Sequence, residues 1–423
     1  MTPLEYLARL TSKISAPFLD RALKALSSSK KINNFLRILE TKHLHKIEKP
    51  KRILIIPDIN IGDAIITQSF ISPLKYYFPD MEISYVYQRK AYPLIKENPN
   101  IDRHFPLFRN LGYPSKRDCK ILKNVIERYD FDLIFNFCPY LPTNNFKSAN
   151  SSVINPTRFI ANIIRDYTSN NRKAQIAFQM NKFAKELVEE FPSNIKPKTK
   201  PRIKFSENHL YTTQQLYKKT RKAMDRLNVN PHTKKILFNP DTASPYTLIP
   251  LKFQLELLKG ILSRNNLTLL LNCGFIFKGI EKKILNEIPS SLRKKIVVIP
   301  RDIPIDVYAA LIDNCNMFIT GDTGPLHIAA AKKIIVNSDN HFRNSTAVIG
   351  IFGATSAKIY GYDSSSDEYL SASQAAPSKV FEAFPACKNL TCIDKIFKKC
   401  PEVKCFNGLE PEQVIDYVQN YLS

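Results

Sequence analysis

The sequence is poor in glycine, sparse in cysteine and without a long apolar segment. Its 423 residues contain 11 glycines, so the few that fall in polar turns stand out. Eight cysteines are too few for a disulfide scaffold. No run of about 18 apolar residues exists, so no membrane-spanning helix is predicted. The G-x-G-x-x-G fingerprint is also missing, and with it the main sequence support for cofactor-dependent hydride transfer.

Acidic residues are scarce relative to basic ones. The chain has 62 Lys and Arg against 38 Asp and Glu, a formal net charge of +24. Such a surplus indicates an anionic partner, which could be nucleic acid, anionic lipid headgroups or a phosphorylated substrate. It carries no information about the fold.

The first 52 residues are especially basic, with twelve Lys and Arg against four Asp and Glu. Leucine, isoleucine and phenylalanine recur there at helical spacing, which predicts basic amphipathic helices. Two interpretations stay open, helices lying on an anionic membrane or helices packed on the protein's own surface. Glu5, Arg9 and Lys13 interrupt the apolar stretch that a signal peptide needs, so we expect a cytoplasmic chain.

Beyond this extension, short apolar runs alternate with helical patterns, which predicts parallel α/β sheets. A polar, proline- and lysine-rich stretch at 194–207 separates two such series. We therefore predict an N-terminal extension (1–51), an N-terminal Rossmann-like domain (52–205) and a C-terminal Rossmann-like domain (206–423). The predicted strands are Ile53–Ile56, Ile83–Tyr87, Leu133–Phe137, Ile236–Asn239, Leu267–Cys273, Ile296–Ile299, Met317–Thr320 and Val348–Phe352.

The first motif that carries chemistry follows the first strand and reads PDINIGD. It places Gly62 and Asp63 at the start of a helix predicted to run to Phe78. A carboxylate there is stabilised by the helix N-terminus and stays ionised, as a general base for a hydroxyl requires. The alternative is that Asp63 only caps the helix. Asp58, in the same loop, is a second candidate.

The second motif is FITGDTGPLHIAAA, from Phe318 to Ala331. Thr323 is a good N-cap residue, and Pro325 suits the first position of a helix predicted to reach Lys332. Gly324 lets a ligand approach the backbone, and His327 on the first turn could reach a bound phosphate. The alternative is a capped helix whose histidine is satisfied inside the protein.

Together the two motifs resemble those of glycosyltransferase family 9, the lipopolysaccharide heptosyltransferase group. The family's Ile-Gly-Asp turn corresponds to residues 61–63, and its Asp-Thr/Ser-Gly-Pro-x-His-x-Ala-Ala turn corresponds to residues 322–330. The stretches FPDMEISYVYQRKAYPLIKENPNID, YDFDLIFNF and AVIGIFGATSAKIYG extend the resemblance, which covers about residues 52–423.

This resemblance implies two Rossmann-like domains facing a cleft, the GT-B type, and an inverting sugar transfer that requires neither cofactor nor metal. Asp63 would be the catalytic base that deprotonates the acceptor hydroxyl. A nucleotide-sugar donor, ADP-heptose-like, would be held by Gly62, Asp322, Thr323, Gly324 and His327. The expected acceptor is a lipopolysaccharide-core or other lipid-linked glycan at the inner face of the plasma membrane, whose anionic surface suits the charge.

Two other functions are weighed. A catalytically impaired GT-B binding protein is motivated by residues 247–250, which read Thr-Leu-Ile-Pro where family members commonly carry Lys-Arg-Trp-Pro. A nucleic-acid-binding protein is motivated by charge alone, and no RNA-binding signature or zinc finger favours it. A late cluster of four cysteines is compatible with a structural zinc or with thiols: Cys387, Cys392, Cys400 and Cys405.

Overall fold

The computed structural model describes residues 34, 37–38, 44, 50–58, 60–108, 114–138, 141, 152–154, 163, 166, 175–191, 209–242, 245, 247–264, 266–274, 276–336, 346–353, 355–364, 378–383 and 404–423. The chain divides into two compact units, Met1–Tyr211 and Thr212–Ser423. The predicted 205/206 boundary, most of the linker and nearly all of the N-terminal extension lie outside the described residues, so the predicted domain limits stay a prediction.

The first unit contains a parallel five-stranded sheet in the order β3-β2-β1-β4-β5. Its three inner strands, β2, β1 and β4, are buried on both faces, as the near-continuous apolar composition of β1 requires. The strands are β1 (Arg52–Ile56), β2 (Glu82–Gln88), β3 (Arg103–Phe108), β4 (Leu133–Asn136) and β5 (Ser152–Ile154). The helices are α1 (Ile61–Ile66), α2 (Gln68–Tyr77), α3 (Tyr92–Ile95), α4 (Lys116–Tyr129) and α5 (Ile176–Glu190).

The second unit contains a parallel six-stranded sheet in the order β13-β12-β10-β7-β8-β9. Strand β6 (His209–Thr212) crosses the division between the units. The other strands are β7 (Lys234–Asn239), β8 (Leu267–Asn272), β9 (Ile296–Ile299), β10 (Met317–Gly321), β11 (Lys332–Ile335), β12 (Ala347–Phe352) and β13 (Ser378–Glu382). The helices are α6 (Gln214–Arg226), α7 (Leu251–Arg264), α8 (Ile280–Glu287), α9 (Ser290–Arg293), α10 (Ile305–Asp313), α11 (Gly324–Ala330), α12 (Ala357–Tyr360) and α13 (Pro411–Leu422).

Each sheet reverses its strand order at one point. In the first unit the chain runs outward from β1 to β3 and then returns to place β4 on the other side of β1. In the second unit it runs outward from β7 to β9 and then places β10 on the other side of β7. In open α/β sheets, ligands bind beyond the carboxyl ends of the strands at such a switch point. The PDINIGD loop follows β1 and the Asp322 turn follows β10, so each motif lies at the switch point of its own unit.

The observed strands confirm the predicted ones to within two residues. The predicted first helix is instead two helices, α1 and α2, that meet at Thr67. The helix predicted from Pro325 to Lys332 ends earlier, at Ala330, because Ala331 is extended (ψ 136°) and Lys332 begins β11.

The early end of α11 brings a lysine into the protein interior. The Lys333 side chain is 2% exposed, and its ammonium donates to the carbonyls of Ala331 (3.0 Å), Ala329 (3.3 Å) and Ile328. The same ammonium lies 3.1 Å from an oxygen of Asp313, whose other oxygen accepts from the Tyr217 hydroxyl at 2.8 Å. Burial lowers the pKa of Lys333 and raises that of Asp313, while their mutual attraction opposes both shifts. The pair therefore supplies partners for the C-terminal carbonyls of α11.

Replacing Lys333 with methionine is expected to lower the free energy of unfolding by about 3–5 kcal/mol, because Asp313 then stays buried without its cation. Urea unfolding measures the loss. Lys252→Met is the control, since Lys252 is 90% exposed and its pair with Glu256 is a surface pair worth less than about 1 kcal/mol. Equal losses in the two variants would contradict the structural role of the buried pair.

Candidate functional site

The turn that joins β10 to α11 has the backbone of a helix start. Thr323 occupies the predicted N-cap position with φ −160° and ψ 162°, but its side chain makes no capping hydrogen bond. The Thr323 carbonyl accepts from the Leu326 N–H at 3.0 Å, and Pro325 takes the position where a missing N–H costs nothing. Gly324 begins the helix and is half-buried. Thr323 and Gly324 therefore form a surface that combines backbone N–H groups with an uncommitted capping hydroxyl.

Asp322 precedes this N-cap and is half-buried. Burial raises the pKa of its carboxyl to about 6, and the Thr355 hydroxyl opposes that shift. Its backbone carbonyl accepts a hydrogen bond from the Thr242 hydroxyl at 3.2 Å. The carboxyl is therefore mostly ionised at neutral pH and takes up a proton under mildly acidic conditions.

His327 lies on the same helical turn but inside the protein. His327 is only 5% exposed, and its Nδ1 lies 2.9 Å from the hydroxyl of the buried Tyr362. Burial lowers the pKa of the imidazole to about 4, so the ring is neutral at physiological pH. A neutral imidazole can form one hydrogen bond to an anion but contributes no positive charge. The backbone N–H groups are then the positive end of this turn.

Sequence reasoning missed the polar network beneath the turn. The Asn239 amide, at the end of β7, donates to the Thr320 hydroxyl and to the Asp241 carbonyl, both at 2.9 Å. Asn272, at the end of β8, donates to the Asn239 carbonyl oxygen at 2.8 Å. The sequence contains a signal for this network, because β7, β8 and β10 each carry a polar residue at or next to the last position of the strand. Only the strand order of the sheet shows that these three ends are neighbours.

Asp63 lies at the matching place in the first unit. The N-cap of α1 is Asn60 (φ −79°, ψ 160°), so Asp63 is the third helical residue rather than the cap, and Gly62 beside it is buried. The Asp63 residue is half-buried. Burial is the main cause that raises the pKa of the nearby Tyr85, and the charge of Asp63 adds to the shift. The Tyr85 hydroxyl donates to the Ala64 carbonyl at 2.7 Å. Asp63 is therefore not the N-cap residue, and its carboxylate lies on the first turn of α1.

The remaining candidates are only partly described. Asp58 is half-buried in the loop after β1. Cys405 is buried in the short 3₁₀ turn Lys404–Phe406, whereas Cys387, Cys392 and Cys400 lie outside the described residues. Among the residues that the structure describes, no three His, Cys, Asp or Glu side chains are grouped to hold a metal ion. No helix in that part of the chain is both long and apolar enough to cross a bilayer.

The structure thus gathers the sequence-predicted residues into two groups, each within one unit. Asp322, Thr323, Gly324 and His327 share one turn at the switch point of the second unit. Gly62 and Asp63 share the first turn of α1 at the switch point of the first unit. A turn rich in N–H groups suits an anionic ligand, and a half-buried carboxylate suits proton transfer.

The fold is that of GT-B-type transferases. The glycosyl transferase family 9 protein of Veillonella parvula DSM 2008 superposes with a TM-score of 0.61 at 17% identity, over 89% of this chain and 98% of that one. The E. coli ADP-heptose lps heptosyltransferase II gives a TM-score of 0.55 at 13% identity, over 88% and 98%. E. coli heptosyltransferase WaaC with ADP-2-deoxy-2-fluoro heptose gives 0.51 at 13% identity, over 87% and 99%.

The sequence profile of glycosyltransferase family 9 (heptosyltransferase) matches residues 162–384, a little more than half of the chain. The chain therefore belongs to glycosyltransferase family 9. The matched range contains the Asp322 turn but not Asp63. Lipooligosaccharide heptosyltransferase 2 of Campylobacter jejuni is 26% identical over 147 residues, which are 34% of this chain and 38% of that protein. The match thus spans well under half the length of that relative.

The buried histidine gives a pH-dependent stability. Below its ordinary pKa of about 6.5 the unfolded chain binds a proton that folded His327, with a pKa of about 4, does not bind. The stability that neutral His327 contributes is complete above pH 6.5 and is lost as the pH falls toward 4. Relative to His327→Gln, the wild type is expected to lose about 2 kcal/mol of unfolding free energy between about pH 7.5 and 5.

Urea unfolding of both proteins at the two pH values measures this difference. Asp322 acts in the opposite direction, because its raised pKa favours the folded chain below pH 6, and the comparison with the variant cancels its effect. Parallel pH dependence in wild type and variant would show that the imidazole is not held neutral.

Proposed function

We propose that the chain is an inverting glycosyltransferase that moves heptose or a similar sugar from an ADP-heptose-like donor to a lipopolysaccharide-core or other lipid-linked acceptor. The observation that carries the proposal is the family 9 turn, Asp322 to Ala330, at the switch point of the second unit and inside the matched range. The relatives add support, because WaaC was solved with a fluorinated ADP-heptose and the Campylobacter relative is a lipooligosaccharide heptosyltransferase.

The donor half of the reaction is assigned to the second unit. When the bond between the sugar and the diphosphate breaks, the bonding electrons leave with the diphosphate, which gains negative charge. Backbone N–H groups at Thr323 and Gly324 stabilise that charge where it develops, as donors in an oxyanion hole do. Because this stabilisation comes from the backbone, the proposal requires no metal ion and no cofactor.

Asp322 and His327 complete the proposed donor site in different ways. The Asp322 carboxyl accepts hydrogen bonds from hydroxyl groups of the donor when it is ionised, which its pKa of about 6 allows at neutral pH. The buried His327 supports the turn from below through its contact with Tyr362. Gly62 is also assigned to the donor, because it belongs to the Ile-Gly-Asp turn that resembles the family's.

The acceptor half is assigned to Asp63. Its position on the first turn of α1 places the carboxylate at the positive end of the helix dipole, which favours the ionised form. Asp63 removes the proton from the acceptor hydroxyl as that oxygen attacks the anomeric carbon. Attack from the face opposite the diphosphate inverts the configuration at that carbon.

A catalytically impaired binding protein is the second candidate. Its motive is Thr247, which stands where the family commonly carries a lysine. In the structure the Thr247 hydroxyl lies 2.6 Å from that of Thr242, which also contacts the Asp322 carbonyl. Hydroxyl groups thus replace a cation beside the turn, and transfer from ADP-heptose distinguishes the candidates, since an impaired protein binds the donor without consuming it.

Asp63→Asn is expected to reduce transfer at least about 10²-fold, the lower end of what a positioned general base contributes. The binding of ADP is expected to change less than about twofold, because the carboxylate acts on the acceptor. Transfer is followed by mass spectrometry of a lipopolysaccharide-core acceptor, and ADP binding by titration calorimetry. Asp58→Asn is the control and should retain transfer. Equal losses of rate and ADP affinity would reject the base assignment.

An anionic membrane surface is the proposed location of the acceptor. Helix α6 contains one acidic residue, Asp225. Its outer face carries five exposed basic residues, Lys218, Lys219, Arg221, Lys222 and Arg226. Within the part of the chain that the structure describes, these five side chains form no ion pair. The opposite face is anchored by the buried Thr220 and Met224. Basic residues near an anionic bilayer contribute about 1 kcal/mol each, so this face supports the proposed attachment.

Neutralising four of these residues should weaken vesicle binding at least about tenfold. The variant is Lys218→Gln, Lys219→Gln, Arg221→Gln and Lys222→Gln combined, and sedimentation with phosphatidylglycerol-containing vesicles measures it. The matched control replaces four exposed basic residues of α4 with glutamine: Lys116, Arg117, Lys120 and Lys123. Of these, Lys123 is paired with Glu127. Equal weakening in both variants would show that net charge, not the α6 face, drives attachment.

A further inference from the structure

Strand β7 holds the central position at the ligand-binding edge of the second unit. Its neighbours are β10 and β8, and all three run parallel, so their carboxyl ends meet at one edge. The chain leaves β7 through residues 240–242, leaves β8 through the loop that ends at Gly279, and leaves β10 through the Asp322 turn. The segment after β7 therefore lies between the other two.

Asp241 fastens the loop after β8. One carboxylate oxygen accepts the Ile276 N–H at 2.9 Å and the other accepts the Phe277 N–H at 3.0 Å. Asp241 is only 6% exposed. A side-chain amide offers one acceptor oxygen and would turn its NH₂ group toward one of these two donors, so a carboxylate of this length suits the pair better than an amide. Hydrogen bonds to an ionised acceptor are about twice as strong as neutral ones, which makes this a firm attachment.

The next residue fastens the turn after β10. The Thr242 hydroxyl donates to the Asp322 carbonyl at 3.2 Å, on the other side of β7 from the loop. The Asp241 carbonyl is itself held by the Asn239 amide at 2.9 Å. Two consecutive residues thus fix two loops relative to each other, and one of these loops carries the proposed diphosphate site.

We propose that Asp241 is a positioning residue for the donor nucleotide, through the loop that it holds beside the Asp322 turn. This inference rests on the proposed function. The backbone of Ile276 and Phe277 is fixed by Asp241, while the Ile276 side chain stays 43% exposed at this edge. Without the carboxylate the loop loses its fixed distance from the turn, so the donor must order it on binding. The expected consequence is a weaker donor affinity with little change in the chemical step.

Asp241→Asn tests the proposal, and Asp132→Asn is a matched control. Asp132 also accepts two consecutive backbone N–H groups, those of Lys51 (2.7 Å) and Arg52 (2.8 Å), both at one carboxylate oxygen and at the amino end of β1 in the other unit. Titration calorimetry with ADP and steady-state kinetics with ADP-heptose are measured for both, together with the melting temperature. Asp241→Asn should raise the ADP Kd and the donor KM about tenfold and leave kcat within about threefold. Asp132→Asn should lower the melting temperature without changing either constant.

A second pair of variants covers the case in which Asp241→Asn does not fold. Thr242→Val removes the hydroxyl that reaches Asp322 and should raise the ADP Kd, whereas Thr242→Ser keeps the hydroxyl and should restore it. Unchanged ADP Kd and donor KM in Asp241→Asn, with a melting temperature lowered as in the control, would overturn the inference alone. A wild-type chain that binds neither ADP nor GDP, UDP or CDP would overturn the proposed function and this inference with it.

Discussion

The turn after β10 in the second unit depends on one buried ammonium, that of Lys333. Helix α11 has seven residues, too few to be stable alone, and its last carbonyls lie inside the protein. Lys333 supplies their hydrogen-bond donor and is itself balanced by Asp313. Asp313 is the last residue of α10 and also accepts from Tyr217 of α6. The helices α6 and α10 and the end of α11 therefore meet at the Lys333–Asp313 ion pair. The Asp322 turn is therefore held in place from the far end of its own helix.

This arrangement separates two kinds of positive charge in the protein. Among the described residues, many of the basic side chains are exposed, such as those of α6. The buried ammonium of Lys333 serves the C-terminus of α11 rather than a ligand. The neutral His327 adds no charge either. We therefore expect the proposed recognition of a diphosphate at this turn to depend on backbone N–H geometry, which the firm support of the turn would preserve.

Much of the fold could be predicted because strands and helix starts follow from short local sequence patterns. The β1 and β10 strands are continuous apolar runs, and the turns after them carry the residues that helix starts prefer. Lys333 was not predictable, because a lysine after an alanine-rich segment favours a longer helix. Its partner Asp313 lies at the end of α10, and only the packing of α10 against α11 shows that the pair offsets the cost of burying the ammonium.

The candidate site divides in the same way. Asp322, Thr323 and Asp63 are found from short motifs, since their position relative to a strand end is fixed locally. Asp241 and Thr242 act on residues 35 to 80 positions away, which the strand order β10-β7-β8 brings close. The burial of His327 against Tyr362 is likewise a property of the folded unit, 35 positions apart in sequence.

Hydrogen–deuterium exchange with and without ADP-heptose tests the central claim most directly, because it reports which backbone amides the donor protects. The account predicts slower exchange at residues 322–326 and at 276–279 when the donor is present, with the amino end of β1 unchanged. Protection confined to other segments, or none at saturating ADP-heptose, would contradict a donor site at the turn after β10.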